Sequence, residues 1–142
     1  MNKNNFIVVK PRYADFNLQG ILRVGVYPEL ICECQLHLFE NRFGLPLKVF
    51  TDRSERWHIT EYFIRVQSPV KAMEEFIVEA DLIGVRESRL RVRFRFLSKN
   101  RKTVRAEGYI CFDLVDDKTN APKAIPEKER EHLEKFVDES ET

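Results

Sequence analysis

Residues 89–96 read Arg-Leu-Arg-Val-Arg-Phe-Arg-Phe, a strict alternation of charged and apolar side chains. Successive side chains of a β-strand point to opposite faces, so this period of two predicts a strand with one buried face. Residues 75–82 and 104–113 alternate in the same way, and 58–67 does so more weakly. The polar segment 98–102 is short enough for a hairpin turn, so the pattern predicts an antiparallel sheet.

The charged face of the predicted sheet carries both signs. Four arginines alternate through 89–95, and acidic residues point the same way from the neighbouring strands. These acidic residues are Glu75, Glu79, Asp81, Glu107 and Asp113. Opposite charges that face each other across strands stabilise a sheet. We therefore interpret the arginines as partners in ion pairs on the outer face, in preference to a stripe that binds phosphate or nucleic acid.

An amphipathic helix precedes the sheet. Its apolar residues recur with helical spacing and form one face: Tyr27, Leu30, Ile31, Cys34, Leu38 and Phe39. Pro28 is compatible only with the first turn of this helix, because proline lacks the N–H that later turns require. Gly44 supplies a stop signal, and Pro46 follows it.

Shorter elements complete the pattern. Residues 6–13 predict a first strand with Pro11 at an irregular end, and 15–25 reads as a loop. From Gly44 onward the chain reads as sheet until a terminal helix at about 126–138, which an acidic, fraying tail follows. The order of strand, long helix, four strands and short helix predicts an α+β fold, in which a curved antiparallel sheet wraps around one long helix.

Length and composition limit the possible classes of protein. The chain of 142 residues suits a single domain, which we expect to span 1–142. Its 24 Lys and Arg are balanced by 23 Asp and Glu, which argues against a nucleic-acid-binding protein. No apolar run approaches the roughly 20 residues that span a bilayer, and residues 1–5 do not resemble a signal peptide. We expect a cytoplasmic protein without membrane contacts.

The three cysteines do not have the spacing of a metal site. Cys32 and Cys34 are separated by one residue, and Cys111 is distant. This spacing is poor for a zinc knuckle, so reduced thiols are expected, with neither metal nor cofactor.

Residues 12–20, Arg-Tyr-Ala-Asp-Phe-Asn-Leu-Gln-Gly, with Tyr27 after them, resemble the opening motif of the 4-hydroxybenzoyl-CoA thioesterase family. Members of that family read (R/Y)-x-x-D-T-D-x-x-G, then Asn-Tyr and a helix. Glu33 falls where the family usually has a glutamate on that helix. The resemblance covers nearly the whole chain and implies the hot-dog fold, thioester hydrolysis, and a homodimer or tetramer.

The same motif departs from the family pattern at its catalytic position. Asn17 stands where the family has its catalytic aspartate, and Asp15 matches only the first aspartate of the motif. A neutral amide is not a general base, and loss of a general base costs about 10²- to 10⁴-fold in rate. Thioesterases of enediyne polyketide pathways also have Asn at this position, in a T-N-L-V-G motif that residues 16–20 resemble. The arginine that assists in those enzymes is matched by Gln35.

The resemblance also implies how the thioester carbonyl is activated. In the family the amino-terminal end of the long helix polarises this carbonyl, and the N–H of Val24 occupies the matching position. One such donor contributes about 3 kcal/mol of transition-state stabilisation. Asp15 or Glu33 could supply a carboxylate. Structural interpretations stand beside these: Asn17 shapes a loop, Asp15 caps local N–H groups, and Glu33 pairs with a cation.

Other residues are candidates for holding the substrate. Gly25 and Tyr27 lie at the predicted start of the helix and are expected to line the substrate site. Phe50 and Trp57 either line an acyl pocket or pack in the core. Four cations are candidates for binding the phosphates of CoA: Arg86, Arg89, Lys71 and Lys99. Each of these is otherwise a solvated surface charge.

These features favour an acyl thioesterase that hydrolyses an acyl-CoA or acyl-carrier-protein thioester in a tunnel at a dimer interface. The alternative is a hot-dog protein that binds acyl thioesters without hydrolysing them. A hydratase or dehydratase is the third hypothesis, ranked last because none of the three histidines lies at the start of the long helix.

Overall fold

The computed structural model describes residues 5–138, which form one curved sheet, one long helix and two shorter helices. In chain order the elements are β1 (Phe6–Val9), a 3₁₀ turn (Tyr13–Asp15), α1 (Val26–His37), π-helical turns (Leu38–Phe43), α2 (Leu47–Thr51), β2 (Glu55–Val66), β3 (Phe76–Arg86), β4 (Arg89–Ser98), β5 (Val104–Asp116) and α3 (Glu127–Glu134). The acidic tail that was expected to fray, 139–142, lies outside the described residues. No helix within 5–138 is both long and apolar enough to cross a membrane.

The five strands form one sheet in the order β1-β3-β4-β5-β2, and all neighbours are antiparallel. The register shifts after Ile59 in the β2–β5 pair and after Leu82 in the β3–β4 pair. Such bulges bend strands and increase their twist, which lets the sheet curve around α1. Strands β1 and β2 form the two edges of the sheet.

Strand β4 has one buried apolar face and one charged face, as its alternating sequence predicts. Its apolar side chains are buried in the core that also holds α1: Leu90, Val92, Phe94 and Phe96. Three of its arginines pair with acidic residues of neighbouring strands: Arg89 with Asp113 at 3.0 Å, Arg93 with Asp81 at 2.7 Å, and Arg95 with Glu79. The predicted ion pairs on the outer face are thus confirmed for these three arginines.

Helix α1 is fixed to the sheet by its apolar face. The side chains of Tyr27, Ile31, Cys34 and Leu38 are fully buried. The thiol of Cys34 donates to the carbonyl oxygen of Val78 at 3.4 Å, and burial raises the pKa of this thiol to about 12. A thiol with so high a pKa remains protonated at neutral pH, so Cys34 serves packing and not nucleophilic chemistry.

The carboxyl-terminal end of α1 is closed by aromatic residues. The π-helical turns bury both Phe39 and Phe43, whose rings meet edge to face with 5.3 Å between centroids. Gly44 then ends the helix with a φ of 68°, a left-handed conformation that glycine adopts without strain. Nε2 of His132 in α3 donates to the carbonyl oxygen of Phe43 at 2.6 Å, so the terminal helix packs over this end.

Two local predictions from the sequence were wrong. The segment after Gly44 was expected to be sheet, but it begins with α2, because an extended Pro46 starts a short helix that buries Phe50. The first strand was expected over 6–13, but β1 ends at Val9. Pro11 has no N–H to contribute to the hydrogen-bond ladder, which limits the strand.

Candidate functional site

The loop that leads into α1 is held by Asp15. Its carboxylate is buried and accepts two hydrogen bonds from Arg12, at 2.8 Å from the backbone N–H and at 2.9 Å from the guanidinium. The guanidinium and backbone hydrogen bonds from Arg12 lower the pKa of Asp15. Its carbonyl oxygen accepts a further hydrogen bond from the N–H of Arg23 at 2.8 Å. Asp15 therefore anchors the approach to the helix, and its lowered pKa makes it a weak base.

Asn17 closes the next turn of this loop. Its Oδ1 atom accepts hydrogen bonds from the N–H groups of Gln19 at 2.8 Å and Ile21 at 3.3 Å. Asparagine favours turns for this reason. The N–H of Leu22 then donates to the carbonyl oxygen of Val70 at 2.9 Å, which fastens the loop to the segment before β3. In this arrangement the amide of Asn17 shapes the loop.

The amino-terminal end of α1 is open. Arg23 to Val26 form a turn that is closed by a 3.0 Å hydrogen bond from the N–H of Val26 to the carbonyl oxygen of Arg23. Gly25 is the N-cap residue, and none of the side chains that the structure describes caps this helix. Within 5–138 the N–H groups of Val24 and Gly25 donate to no protein acceptor. Such unpaired groups carry partial positive charge, so this amide end can bind an oxygen that gains negative charge.

One face of α1 runs from the amide end without cover. Its exposed side chains are Glu29, Cys32, Glu33 and Leu36. Glu33 forms no hydrogen bond or ion pair with any other described residue, so the predicted cation partner is not found in that part of the chain. Seven residues separate Glu33 from Val26, which corresponds to about 10 Å along the helix axis.

A first cavity, of about 380 Å³, lies between α1 and β1. Its lining brings together Asp15 and Glu33, two of the predicted catalytic residues, and also Glu29. Because Asp15 is engaged by Arg12, Glu33 is the free carboxylate of the two. Asn17 does not line this cavity.

A second cavity, of about 250 Å³, lies between α1, α2 and β2. Most of its lining is apolar: Leu36, Phe39, Leu47, Phe50 and Trp57. The three aromatic rings contact one another, with centroids 5.4 to 6.1 Å apart. Phe50 and Trp57 therefore both pack together and line a pocket. Sequence reasoning missed Leu36 and Leu47, although the helical spacing of Leu47 and Phe50 after Pro46 was an available signal.

Tyr27 lies beneath the start of the helix. Its side chain is 1% exposed, and its ring packs edge-on against Phe96 with 4.9 Å between centroids. Burial raises the pKa of its hydroxyl. Tyr27 lines neither cavity beside α1, and its expected contact with substrate stays a prediction.

The predicted phosphate-binding arginines lie far from the amide end. The loop before α1 is bonded to Val70, just before β3 begins, whereas Arg86 is the last of the eleven residues of β3. A strand of that length spans about 33 Å. Arg86 and Arg89 line a cleft of about 710 Å³ together with Arg130. A single copy of the chain therefore does not bring these arginines to the amide end.

Lys71 is better placed within the same copy. Its backbone pairs with Ile21 of the loop before α1. Its ammonium group forms no ion pair in the part of the chain that the structure describes. A free cation is therefore available beside this loop.

The geometry of α1 suits chemistry at an acyl carbonyl. The amide end offers hydrogen-bond donors for the carbonyl oxygen, and Glu33 offers a carboxylate on the exposed face of the same helix. The second cavity offers apolar space for the group attached to the carbonyl carbon. Acyl transfer to water requires the first two elements, and the third sets selectivity.

A family model described as the thioesterase-like superfamily matches residues 9–133. Among curated proteins, none matches the sequence significantly. Solved structures show a close likeness of fold. The DHNA-CoA thioesterase from Staphylococcus aureus is 13% identical, with a TM-score of 0.84, over 92% of this chain and 89% of that one.

Two further structures are also similar in shape. YbaW, a probable thioesterase from Escherichia coli, is 18% identical, with a TM-score of 0.80, over 94% of this chain and 99% of that one. A hypothetical protein from Staphylococcus aureus, solved in complex with CoA, is 13% identical, with a TM-score of 0.84, over 96% of this chain and 85% of that one. At these identities the likeness shows the fold, and it confirms the predicted hot-dog arrangement of sheet and helix.

Proposed function

This chain belongs to the thioesterase-like superfamily, and we propose that it is an acyl thioesterase that hydrolyses acyl-CoA or acyl-carrier-protein substrates. In this reaction water adds to the carbonyl carbon, the carbon–sulfur bond breaks, and a carboxylic acid and a free thiol leave. The observation that carries the proposal is the open amide end of α1, where no side chain within 5–138 caps the N–H groups.

The N–H groups of Val24 and Gly25 are proposed to bind the thioester oxygen. The oxygen gains negative charge as water adds, and fixed donors at a helix start stabilise that charge. Removal of one such donor typically costs about 10²- to 10³-fold in rate. The 79% exposure of Val24 leaves room for a substrate to approach.

Glu33 is proposed as the general base that activates the water, acting in the dimer on a thioester held at the amide end of the second copy, because about 10 Å of helix separate it from Val26 of its own copy. It is exposed and unpaired among the described residues, and it lies on the face of α1 that starts at the amide end. Asp15 and Asn17 are proposed to act on the loop instead, Asp15 through Arg12 and Asn17 through its bonds to the next turn. The altered motif would then move the catalytic carboxylate from the loop to the helix.

The acyl group is proposed to follow the exposed face of α1 into the second cavity. Leu36 lies both on that face and in the lining of the cavity. The ring of Trp57, packed against Phe39 and Phe50, closes one side of the space. The depth available before these rings would set the length of acyl chain that is accepted.

A homodimer is proposed to complete this tunnel. Four apolar residues of the edge strand β2 are 41 to 46% exposed: Ile59, Tyr62, Phe63 and Val66. An edge strand with apolar side chains and free backbone groups is a ready surface for pairing with a second strand. Two β2 strands paired antiparallel would join both sheets and cover the exposed face of α1.

The same pairing supports a role for Arg86 and Arg89 in binding CoA. They lie near the end of the sheet where β2 begins, whereas the amide end lies near the end where β2 finishes. Antiparallel pairing would therefore bring the arginines of one copy to the sheet end that holds the amide end of the other. The structure from Staphylococcus aureus solved with CoA supports a CoA ester as one class of substrate.

The proposal is tested by measuring thiol release from short, medium and aromatic acyl-CoAs and from acyl carrier protein. We expect turnover, and we expect Glu33→Gln to lower kcat by about 10²- to 10⁴-fold. Its melting temperature should stay the same, because Glu33 has no partner within 5–138. Glu40→Gln, at an exposed site beyond α1, is the matched control and should leave kcat unchanged. Absence of thiol release from every ester would contradict the proposal.

One observation favours a second function, the binding of acyl thioesters without turnover. Asn17 is neutral and already hydrogen-bonded at the position of the family's catalytic aspartate. In that case CoA esters would raise the melting temperature by mass action, and no thiol would appear. Thermal shift and thiol release measured on the same samples separate the two functions.

A further inference from the structure

The segment that joins β2 to β3, residues 67–75, is bonded to the loop before α1, and we call it the strap. The N–H of Leu22 in the loop donates to the carbonyl oxygen of Val70 in the strap at 2.9 Å. The N–H of Ala72 in the strap donates to the carbonyl oxygen of Gly20 in the loop at 2.7 Å. Leu22 comes two residues before the first N–H group of the amide end. The position of the strap therefore influences where the amide end lies.

The strap is itself held by one residue of β5, Arg105. Its Nη1 atom donates to Oγ of Ser68 at 2.8 Å. Its Nη2 and Nε atoms donate to Oε2 of Glu74, at 2.7 and 3.2 Å. Its backbone carbonyl oxygen accepts from the N–H groups of Gln67 and Ser68, at 2.9 and 3.0 Å. Arg105 thus contacts both ends of the strap, and the residues that are bonded to the loop lie between those contacts.

Glu74 connects the guanidinium of Arg105 to the middle of the strap. While Oε2 of Glu74 binds Arg105, its Oε1 atom accepts from the N–H of Lys71 at 3.2 Å. The N–H of Glu74 donates to the carbonyl oxygen of Lys71 at 3.0 Å, so the two residues close a turn. The backbone of Lys71 pairs with that of Ile21 in the loop. A continuous series of contacts therefore leads from Arg105 to the loop before α1.

A bulge in β5 places Arg105 at this position. Val104 and Ala106 face consecutive residues of β4, so the register of this strand pair skips Arg105. Such an extra residue bends its strand and redirects its side chain, and bulges are frequent beside active sites. Burial raises the pKa of the Tyr27 hydroxyl, and the positive charge of Arg105 opposes that rise. The guanidinium therefore also lies near the first turn of α1.

The strap has a backbone conformation that needs support. Met73 has a φ of 63°, in the left-handed region that residues other than glycine rarely adopt. Its side chain is 49% exposed, so burial of that side chain is not what stabilises this conformation. Such a conformation persists only where the surrounding structure imposes it. The hydrogen bonds of its two neighbours, Ala72 and Glu74, supply that support.

We propose that Arg105 is a positioning residue, which acts through the strap to fix the N–H groups of Val24 and Gly25 where they meet the thioester oxygen. This inference rests on the proposed hydrolysis. Fixed donors stabilise a developing charge because they do not reorganise during the reaction. A displacement of about 1 Å at a reacting centre can cost about 10²-fold in rate, even when its cause lies elsewhere. Arg105 would influence the rate without touching the substrate.

The test measures the effect of Arg105→Met on kcat in two backgrounds, wild type and Val24→Pro. Arg105→Met keeps the length of the side chain and removes its three hydrogen bonds to the strap. In the wild-type background kcat for acyl-CoA should fall about 10- to 10²-fold, with little change in KM. In Val24→Pro, which lacks one of the positioned donors, the further loss should be about threefold or less. Equal factors in the two backgrounds would overturn the proposal.

A matched control and a second variant separate positioning from a general loss of stability. Arg95→Met removes a partly buried ion pair with Glu79 on the face of the sheet that is turned away from α1. It should lower the melting temperature but leave kcat unchanged. Should Arg105→Met fail to fold, Glu74→Gln is compared in the same two backgrounds, because it keeps the size of the partner and removes its charge.

Hydrogen exchange of backbone N–H groups, followed by NMR, tests the role of the strap without any measurement of activity. In Arg105→Met the N–H groups of Leu22 and Ala72 should exchange about tenfold faster, because local opening of the strap becomes easier. The N–H of Ile125, bonded to Glu87 at the other end of the sheet, should exchange as in the wild type. Unchanged exchange at Leu22 and Ala72 would overturn the positioning role. Absence of thiol release from the wild type would instead contradict the proposed hydrolysis.

Discussion

The two ends of α1 are built in opposite ways. At the carboxyl-terminal end the helix passes into π-helical turns, Gly44 reverses the chain, and Phe39 and Phe43 are buried, with Phe43 held beside α3. At the amino-terminal end no described side chain caps the helix, and within 5–138 the N–H groups of Val24 and Gly25 donate to no protein acceptor. Both ends bury side chains, Val26 and Tyr27 at the start and Phe39 and Phe43 at the finish, but the start leaves backbone N–H groups without a protein partner within 5–138.

This difference indicates how a small domain holds an open binding site. Unpaired N–H groups at a helix start would normally be capped, because capping stabilises a helix by about 1 kcal/mol. The buried face of α1 and its closed end hold the helix in place without that contribution. The loop held by Asp15 and Asn17 positions the open end without covering it.

The largest expected effect on stability is at the closed end. Phe43→Ala removes a ring that is 2% exposed and packs against Phe39 and Phe136. Deletion of a buried phenylalanine costs about 3–5 kcal/mol, so the free energy of unfolding should fall by that amount in urea titrations. Leu36→Ala, at a side chain that is 48% exposed on the same helix, is the control and should cost far less.

A smaller loss of stability is expected from a substitution in the loop before the open end of α1. Asp15→Asn removes a charged partner of Arg12 and should cost about 1.5–3 kcal/mol at neutral pH. The pKa of Asp15 is lowered in the folded protein, so its contribution is complete above the unfolded value of about 3.9. It is lost as the pH falls through the lower folded value. The difference in stability between wild type and variant should therefore vanish in strong acid, and a constant difference would contradict this assignment.

The contrast between the ends also shows what the sequence could reveal. Charged and apolar residues alternate in 89–96, and apolar residues recur about every 3.6 positions in α1. Both patterns indicate which side chains are buried, so the sheet, the helix and its stop at Gly44 were predictable. The charge pairs across β4 were predictable from the same alternation. Helix α2 was missed because its five residues hold a single apolar pair with helical spacing, Leu47 and Phe50, which is a weak signal.

The site was harder to predict because its geometry depends on distant contacts. Asp15 is engaged by Arg12, and Glu33 is free, because of the way in which the loop before α1 folds back. The sequence does not reveal that path. The spacing of residues gave no sign that Arg86 lies a full strand length from the amide end. The sequence motif identified Asp15, Asn17 and Glu33 as candidates. The folded structure shows that Asp15 and Asn17 form hydrogen bonds within the loop, whereas Glu33 has no partner within 5–138.

The smallest of the expected effects concerns the proposed path of the acyl group along α1 into the second cavity. Leu36→Trp should fill the second cavity and lower kcat/KM for long acyl-CoAs about tenfold, which is the scale of one or two methylene groups in a pocket. Acetyl-CoA should be hydrolysed as before. Cys32→Ser, a change without added volume at the rim of the same cavity, is the control. Equal losses for long and short esters would contradict the proposed path of the acyl chain.

The most direct test of the open end is Val24→Pro compared with Val24→Ala. The N–H of Val24 has no protein partner within 5–138, and the residue is second in the turn closed by Val26 and Arg23, where proline is favoured. Proline should therefore preserve the melting temperature while it removes one donor. We expect kcat for acyl-CoA to fall about 10²- to 10³-fold in Val24→Pro and to be unchanged in Val24→Ala. Equal kcat in the two folded variants would contradict the proposed binding of the thioester oxygen by the N–H of Val24.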